Sequence, residues 1–137
     1  MATPDDEATE RQPLAKLLGI EIVEARADRV LARLTVREDV CTSGGILHGG
    51  AFMALADTAG AVGASLNLRP GDGTTTIESK TNFLGSAPVG ATVTAEALPV
   101  HVGRRSSVWQ TRITNESGKL LAMVTQTQLV IQATSFK

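Results

Sequence analysis

The chain has 137 residues, 13 basic and 14 acidic side chains for a net charge of −1, and three Phe, one Trp and no Tyr. That length suits one domain of ordinary size, and 42% hydrophobic with 20% charged residues is globular composition. With no basic excess to neutralise phosphates and few rings to stack on bases, nucleic-acid binding is excluded.

In chain order, residues 1–12 read as a polar, acidic, flexible tail, neither signal peptide nor basic transit sequence. Residues 13–137 read as the folded domain. Pro13 to Leu18 suit a short helix stopped by Gly19. Ile20 to Val36 read as a hairpin turning at Ala27-Asp28, with Val30, Ala32, Leu34 and Val36 alternating against polar neighbours. Residues 37–47 form a loop around Cys41, Thr42, Ser43, Gly44 and Gly45. Cys41 is the only cysteine, which excludes an internal disulfide and a multi-cysteine zinc cage and suits a reducing, cytoplasmic setting.

A helix starts near Gly49 and runs to about Leu68, where Asn67, Arg69 and Pro70 end it. Its apolar residues make no single stripe, which predicts burial nearly all round. The weakly polar stretch Ile46 to Leu68 carries His48 and Asp57 and is rich in Gly and Ala, so a membrane span is rejected. Gly71-Asp72-Gly73 makes a turn. Four strands follow: Thr74 to Leu84, Ala91 to Val100, Arg105 to Thr114, and Leu120 to Ile131, the last two joined by a turn at Asn115 to Gly118. Strands in succession joined by tight turns predict a mainly antiparallel sheet that curls around the one long helix, an α+β fold.

Chemistry concentrates in Gly45-Ile46-Leu47-His48-Gly49-Gly50 and in Asp57. Glycines at a helix start let a ligand approach the backbone, and the free N–H groups there carry the positive end of the helix dipole. That suits a developing oxyanion, although a bare Gly-Gly serves equally for a tight turn. Asp57 is a poor helix former placed in an apolar helix. Alone, it reads equally as a satisfied buried carboxylate and as a reactive one. Met53, Ala54, Gly60 and Ala61 flank it at helical spacing, and three of these are small, so a groove is expected beside the carboxylate. Gly49 and Asp57 are eight residues apart, roughly 12 Å along a helix. One carbonyl hardly reaches both, so if both act, two chains face each other across a shared site. His48 and His101, the only histidines, lack a metal-ligand spacing, and no metal or redox cofactor is expected.

Gly45-x-x-His48-Gly49-Gly50 followed by Asp57 resembles the signature of hotdog-fold acyl-CoA thioesterases, in the subgroup of the phenylacetate-pathway and Arthrobacter-type 4-hydroxybenzoyl-CoA enzymes. Segment order over residues 13–131 and the strand end Thr81-Asn82-Phe83-Leu84 are similar too. The resemblance implies that the Gly49 N–H donates to the thioester oxyanion. It implies that Asp57 of the opposing subunit is nucleophile or general base, and that His48 positions the loop or the thioester. Thr42 stands where the subgroup has Asn or Gln, so a hydroxyl would replace an amide. Thr76 falls near a residue that holds the attacking water. Gly50, Ala61 and Phe83 fall at substrate-binding positions, and Arg104, Arg105 and Ser106 fall where the strand start meets coenzyme A, which enters as part of the substrate. The same resemblance implies a homodimer with shared sites, assembled as a tetramer. A hotdog hydratase would need a histidine downstream of Asp57, and none occurs before His101. A non-catalytic acyl-CoA binder is the other alternative.

Overall fold

The computed structural model describes residues 12–134, so the tail expected over residues 1–12 lies outside the described residues apart from Gln12. Helix α1 is Pro13–Leu18, closed by Gly19 at φ 78°. Strands β1 (Glu21–Arg26) and β2 (Arg29–Thr35) form the expected hairpin. A 3₁₀ turn, Glu38–Val40, precedes the long helix α2, Gly49–Ser65. Strands β3 (Gly73–Phe83), β4 (Thr92–Val102), β5 (Ser106–Thr114) and β6 (Leu120–Ile131) complete the chain. All pair antiparallel in one sheet of order β1-β2-β4-β5-β6-β3.

Helix α2 ends at Ser65, short of the expected Leu68. The reason is a side chain: the Asn67 amide donates to the Gly63 carbonyl at 2.9 Å and to the Ala27 carbonyl at 2.8 Å. A helix end needs partners for its last carbonyls, and here one amide takes that of Gly63 and ties it to the β1–β2 turn.

The sheet wraps α2, which buries Phe52, Leu55, Ala56, Ala59 and Val62 against aliphatic rows such as Val93, Ala95, Ala97 and Ala122, Val124. Two glycines set how closely the helix lies on β5 and β6. A Cβ on Gly63 would stand 2.6 Å from Trp109 Cη2, and one on Gly60 would stand 2.5 Å from Gln126 Cδ. Gly60 was expected to widen a groove beside Asp57; it is buried, and its missing side chain makes room for Gln126.

The expectation that α2 is buried nearly all round is corrected along one stripe. Gly50, Met53, Ala54, Asp57, Ala61 and Ser65, at helical spacing, stay partly or fully exposed. The sheet stops at edge strands β1 and β3, and part of the stripe lines two cavities, one with Thr76 and Ser79 of β3 and one with Leu14 and Leu18 of α1. β3 also carries a bulge: its register on β6 passes from Thr76↔Gln128 to Glu78↔Thr127, so Ile77 has no partner. Among the described residues, no helix is long and apolar enough to cross a membrane.

Candidate active site

The start of α2 is capped from within. His48 is the N-cap, and its Nδ1 accepts the Gly50 N–H at 2.8 Å. In the neutral ring the proton therefore sits on Nε2. A Cβ on Gly50 would lie 3.0 Å from that Nδ1, so the glycine lets the imidazole close over the helix end. The His48 carbonyl takes the N–H groups of Ala51 and Phe52. Among the described residues, the Gly49 N–H donates to nothing. One amide is thus left free at the positive end of the dipole, the arrangement that receives an anion.

Phe83 packs beside Gly49. Its ring would lie 3.2 Å from a Cβ on Gly49, it packs edge-on against Phe52 with centroids 6.2 Å apart, and it remains 52% exposed. His48 and Gly50 line an apolar cavity of about 310 Å³ with Leu14, Val40, Cys41 and Ala51. Thr42 lies in the loop before it. The Thr42 hydroxyl accepts the Gly44 N–H at 3.2 Å, and its backbone pairs with Gly45 and Ile46, so its polar groups hold the turn together.

Asp57 occupies a second cavity, of about 240 Å³, with Met53, Ala54, Thr76 and Ser79. Thr76 Oγ1 donates to Asp57 Oδ1 at 2.6 Å, and Gln126 Nε2 donates to the same oxygen at 3.1 Å. No described residue donates to Oδ2. Behind Thr76, Gln128 Nε2 donates to Thr76 Oγ1 at 2.6 Å, and Thr74 Oγ1 donates to Gln128 Oε1 at 3.1 Å. A hydroxyl has one proton, so the bond from Gln128 commits the proton of Thr76 to Asp57. Ser79 Oγ is buried with no hydrogen-bond partner. Ala61 lies on the same open stripe of α2.

Gln126 and Gln128 were missed in the sequence, although it carries a signal for them. The inward row of β6 reads Ala122, Val124, Gln126, Gln128, and two fully buried amides in an aliphatic row need partners.

Arg104, Arg105 and Ser106 come together at the start of β5, lining a cavity of about 560 Å³ with His101, Gly103 and Gln132. An adjoining cavity joins Arg104 to Asn67, Leu68 and Arg69 beyond the C-terminus of α2. The arginines therefore lie at the opposite end of the helix from Gly49, roughly 24 Å along its axis. The structure sorts the candidate residues into three places: Gly49, Gly50, His48 and Phe83; Asp57 and Thr76; and Arg104, Arg105 and Ser106.

A family model described as Thioesterase superfamily matches residues 44–122, which span both Gly49 and Asp57. The chain is 36% identical over 110 residues to a 1,4-dihydroxy-2-naphthoyl-CoA hydrolase of Listeria monocytogenes, covering 80% of this chain and 89% of the relative. It superposes on a crystal structure of a thioesterase from Haemophilus influenzae with a TM-score of 0.88 and 32% identity, covering 98% of this chain and 94% of that one. It also superposes on the PaaI protein of the Escherichia coli phenylacetic acid degradation operon, with a TM-score of 0.84, 28% identity, and 95% and 93% coverage. A curled antiparallel sheet around one helix, a family match across the glycine turn and Asp57, and thioesterase relatives over most of its length agree: the chain belongs to the thioesterase superfamily, as a hotdog-fold thioester hydrolase.

Proposed function

We propose that the protein hydrolyses an acyl-CoA or aryl-CoA thioester to the free acid and CoA, at sites shared between two copies of the chain. The observation that carries this is a Gly49 N–H and an Asp57 Oδ2, both without a hydrogen-bond partner among the described residues, eight residues apart on one helix. A carbonyl on Gly49 is beyond its own Asp57, and a second copy brings another. The partly exposed stripe of α2 and the edge strand β3, with Met53 37%, Ile77 57% and Phe83 52% exposed, offer an apolar surface for that copy. A dimer of such dimers is the assembly that the family resemblance implies.

The Gly49 N–H stabilises negative charge on the thioester oxygen as the tetrahedral centre forms. In one route Asp57 takes a proton from water, and the water oxygen adds to the carbonyl carbon. The C–S bond then breaks, and the CoA thiolate leaves with the proton. In the other route an Asp57 oxygen adds first, CoA leaves as the thiolate, and water cleaves the resulting anhydride. Both give one acid and one thiol per water. His48 supports the amide geometry through its cap on Gly50. Arg104 and Arg105, with Ser106, supply phosphate-binding chemistry for the CoA nucleotide, since a guanidinium binds phosphate in a bidentate fork. The single cysteine and the CoA substrate fit a cytoplasmic setting. The relative named for a naphthoyl-CoA supports an aryl acyl group among the candidates.

The test is release of free thiol from a panel of alkyl- and aryl-CoA thioesters by wild type and Asp57→Ala. Hydrolysis of at least one thioester, lost in Asp57→Ala, is the expected result. Full activity in Asp57→Ala on the best substrate overturns the role of Asp57.

A further inference from the structure

We infer that Gln126 is a positioning residue for the Asp57 carboxylate, and that Gly60 is glycine because Gln126 needs its space. The inference rests on the reading of Asp57 as the reacting group.

The terminal torsion of an aspartate is broad and nearly two-fold, so an untied carboxylate swings between orientations. Here two donors arrive on one oxygen from two strands. Thr76 comes from β3, with its proton committed by Gln128, and Gln126 comes from β6. Rotation of the carboxylate breaks both bonds at once. Oδ1 is held and Oδ2 keeps its lone pairs for water or the thioester carbon. Such fixing of a reacting group is a known source of rate.

Gln126 is fully buried, and its Oε1 has no hydrogen-bond partner. A buried orphan acceptor normally costs stability, so the amide is poorly explained as packing. It is explained by its other end: turning the amide over would satisfy nothing and would set two acceptors against each other at Asp57. The helix makes room for it. A Cβ at position 60 would lie 2.5 Å from Gln126 Cδ and 2.8 Å from Nε2, so any larger residue there displaces the donor.

The experiment measures kcat and KM of the full-length protein on its best CoA thioester, with thermal midpoints alongside. The variants are Asp57→Ala, Gln126→Met, Gly60→Ala, Gln126→Ala and the double variant Gln126→Ala/Gly60→Ala. Gln126→Met, which keeps bulk and removes the donor, is expected to lower kcat roughly tenfold to hundredfold with KM within about twofold. Gly60→Ala, which improves helix propensity, is nevertheless expected to lower kcat, and to lower it no further when Gln126 is already alanine. Gly60→Ala reads the contact without altering the amide, so the outcome does not hang on the folding of Gln126→Met. A kcat within threefold of wild type in Gln126→Met, or an equal loss from Gly60→Ala in both backgrounds, overturns the inference. If Asp57→Ala itself stays active, the reading of Asp57 fails instead.

Discussion

Gly63→Ala sets two physical effects against each other. In a helix interior, alanine is favoured over glycine by about 1 kcal/mol, so propensity alone expects a more stable protein. The structure expects the reverse. The new Cβ would stand 2.6 Å from Trp109 Cη2 and Cζ3 and 3.1 Å from Cζ2. Carbon atoms sit at roughly 3.5–4.0 Å, so the helix or the ring must retreat by about 1 Å. The ring has little freedom to do so. It is fully buried, and its Nε1–H is tied to Ser107 Oγ at 3.0 Å. Against a ring held this firmly, the cost falls in the upper part of the usual overpacking range, about 2–3 kcal/mol, which leaves a net loss of about 1–2 kcal/mol after the propensity gain. For a chain of this length that is a fall in melting midpoint of about 3–8 °C. Trp109 is the only tryptophan, so its fluorescence follows urea unfolding at the contact itself, at one fixed protein concentration. A midpoint equal to or above wild type, with unchanged slope, would refute the account of Gly63.

His48→Ala removes the acceptor of the Gly50 N–H and is expected to cost about 1 kcal/mol, with His48→Asn recovering most of it. The same urea titration checks this, and equal losses in the two variants would show that the cap is not the source. Arg104→Ala/Arg105→Ala is expected to raise KM for CoA thioesters about tenfold, less at high salt, and to leave kcat and the hydrolysis of a thioester without the nucleotide unchanged. Steady-state kinetics on the two substrate types decide it, and a fall in kcat with KM unchanged counts against a CoA site there.

The sequence carried the elements where local signals agree with the fold. Pro13 and Gly19 bound α1 as expected, and the strands lie within about two residues of where alternation and turn chemistry put them. What stayed hidden depends on partners distant in sequence. The end of α2 is set by Asn67 reaching Ala27, forty residues away. Ala54, Gly60 and Ala61 are equally small and lie at helical spacing from Asp57, yet Gly60 serves close packing on β6, as Gly63 does on β5, while Ala54 and Ala61 lie on the open stripe. Residue type alone cannot separate a glycine that admits a ligand from one that admits a tryptophan. Asp57 was legible as an anomaly in an apolar helix, but its donors were not, since Thr76 and Gln126 reach it only through strand register.

The bulge at Ile77 divides β3 into two halves that count differently. Were pairing regular from Thr76 onwards, Glu78 and Lys80 would point at the helix, and Ser79 and Thr81 away from it. The unpaired residue shifts the phase, so that two charged side chains stay outside and two hydroxyls line the interior. Loss of Ile77 alone leaves Thr76↔Gln128 and Glu78↔Thr127 as consecutive pairs. With the bulge kept, loss of a residue further along, such as Lys80, turns every side chain beyond it to the opposite face. The strand thus holds one position where its length can change by a residue without scrambling what it presents, and that position lies beside the threonine that holds Asp57.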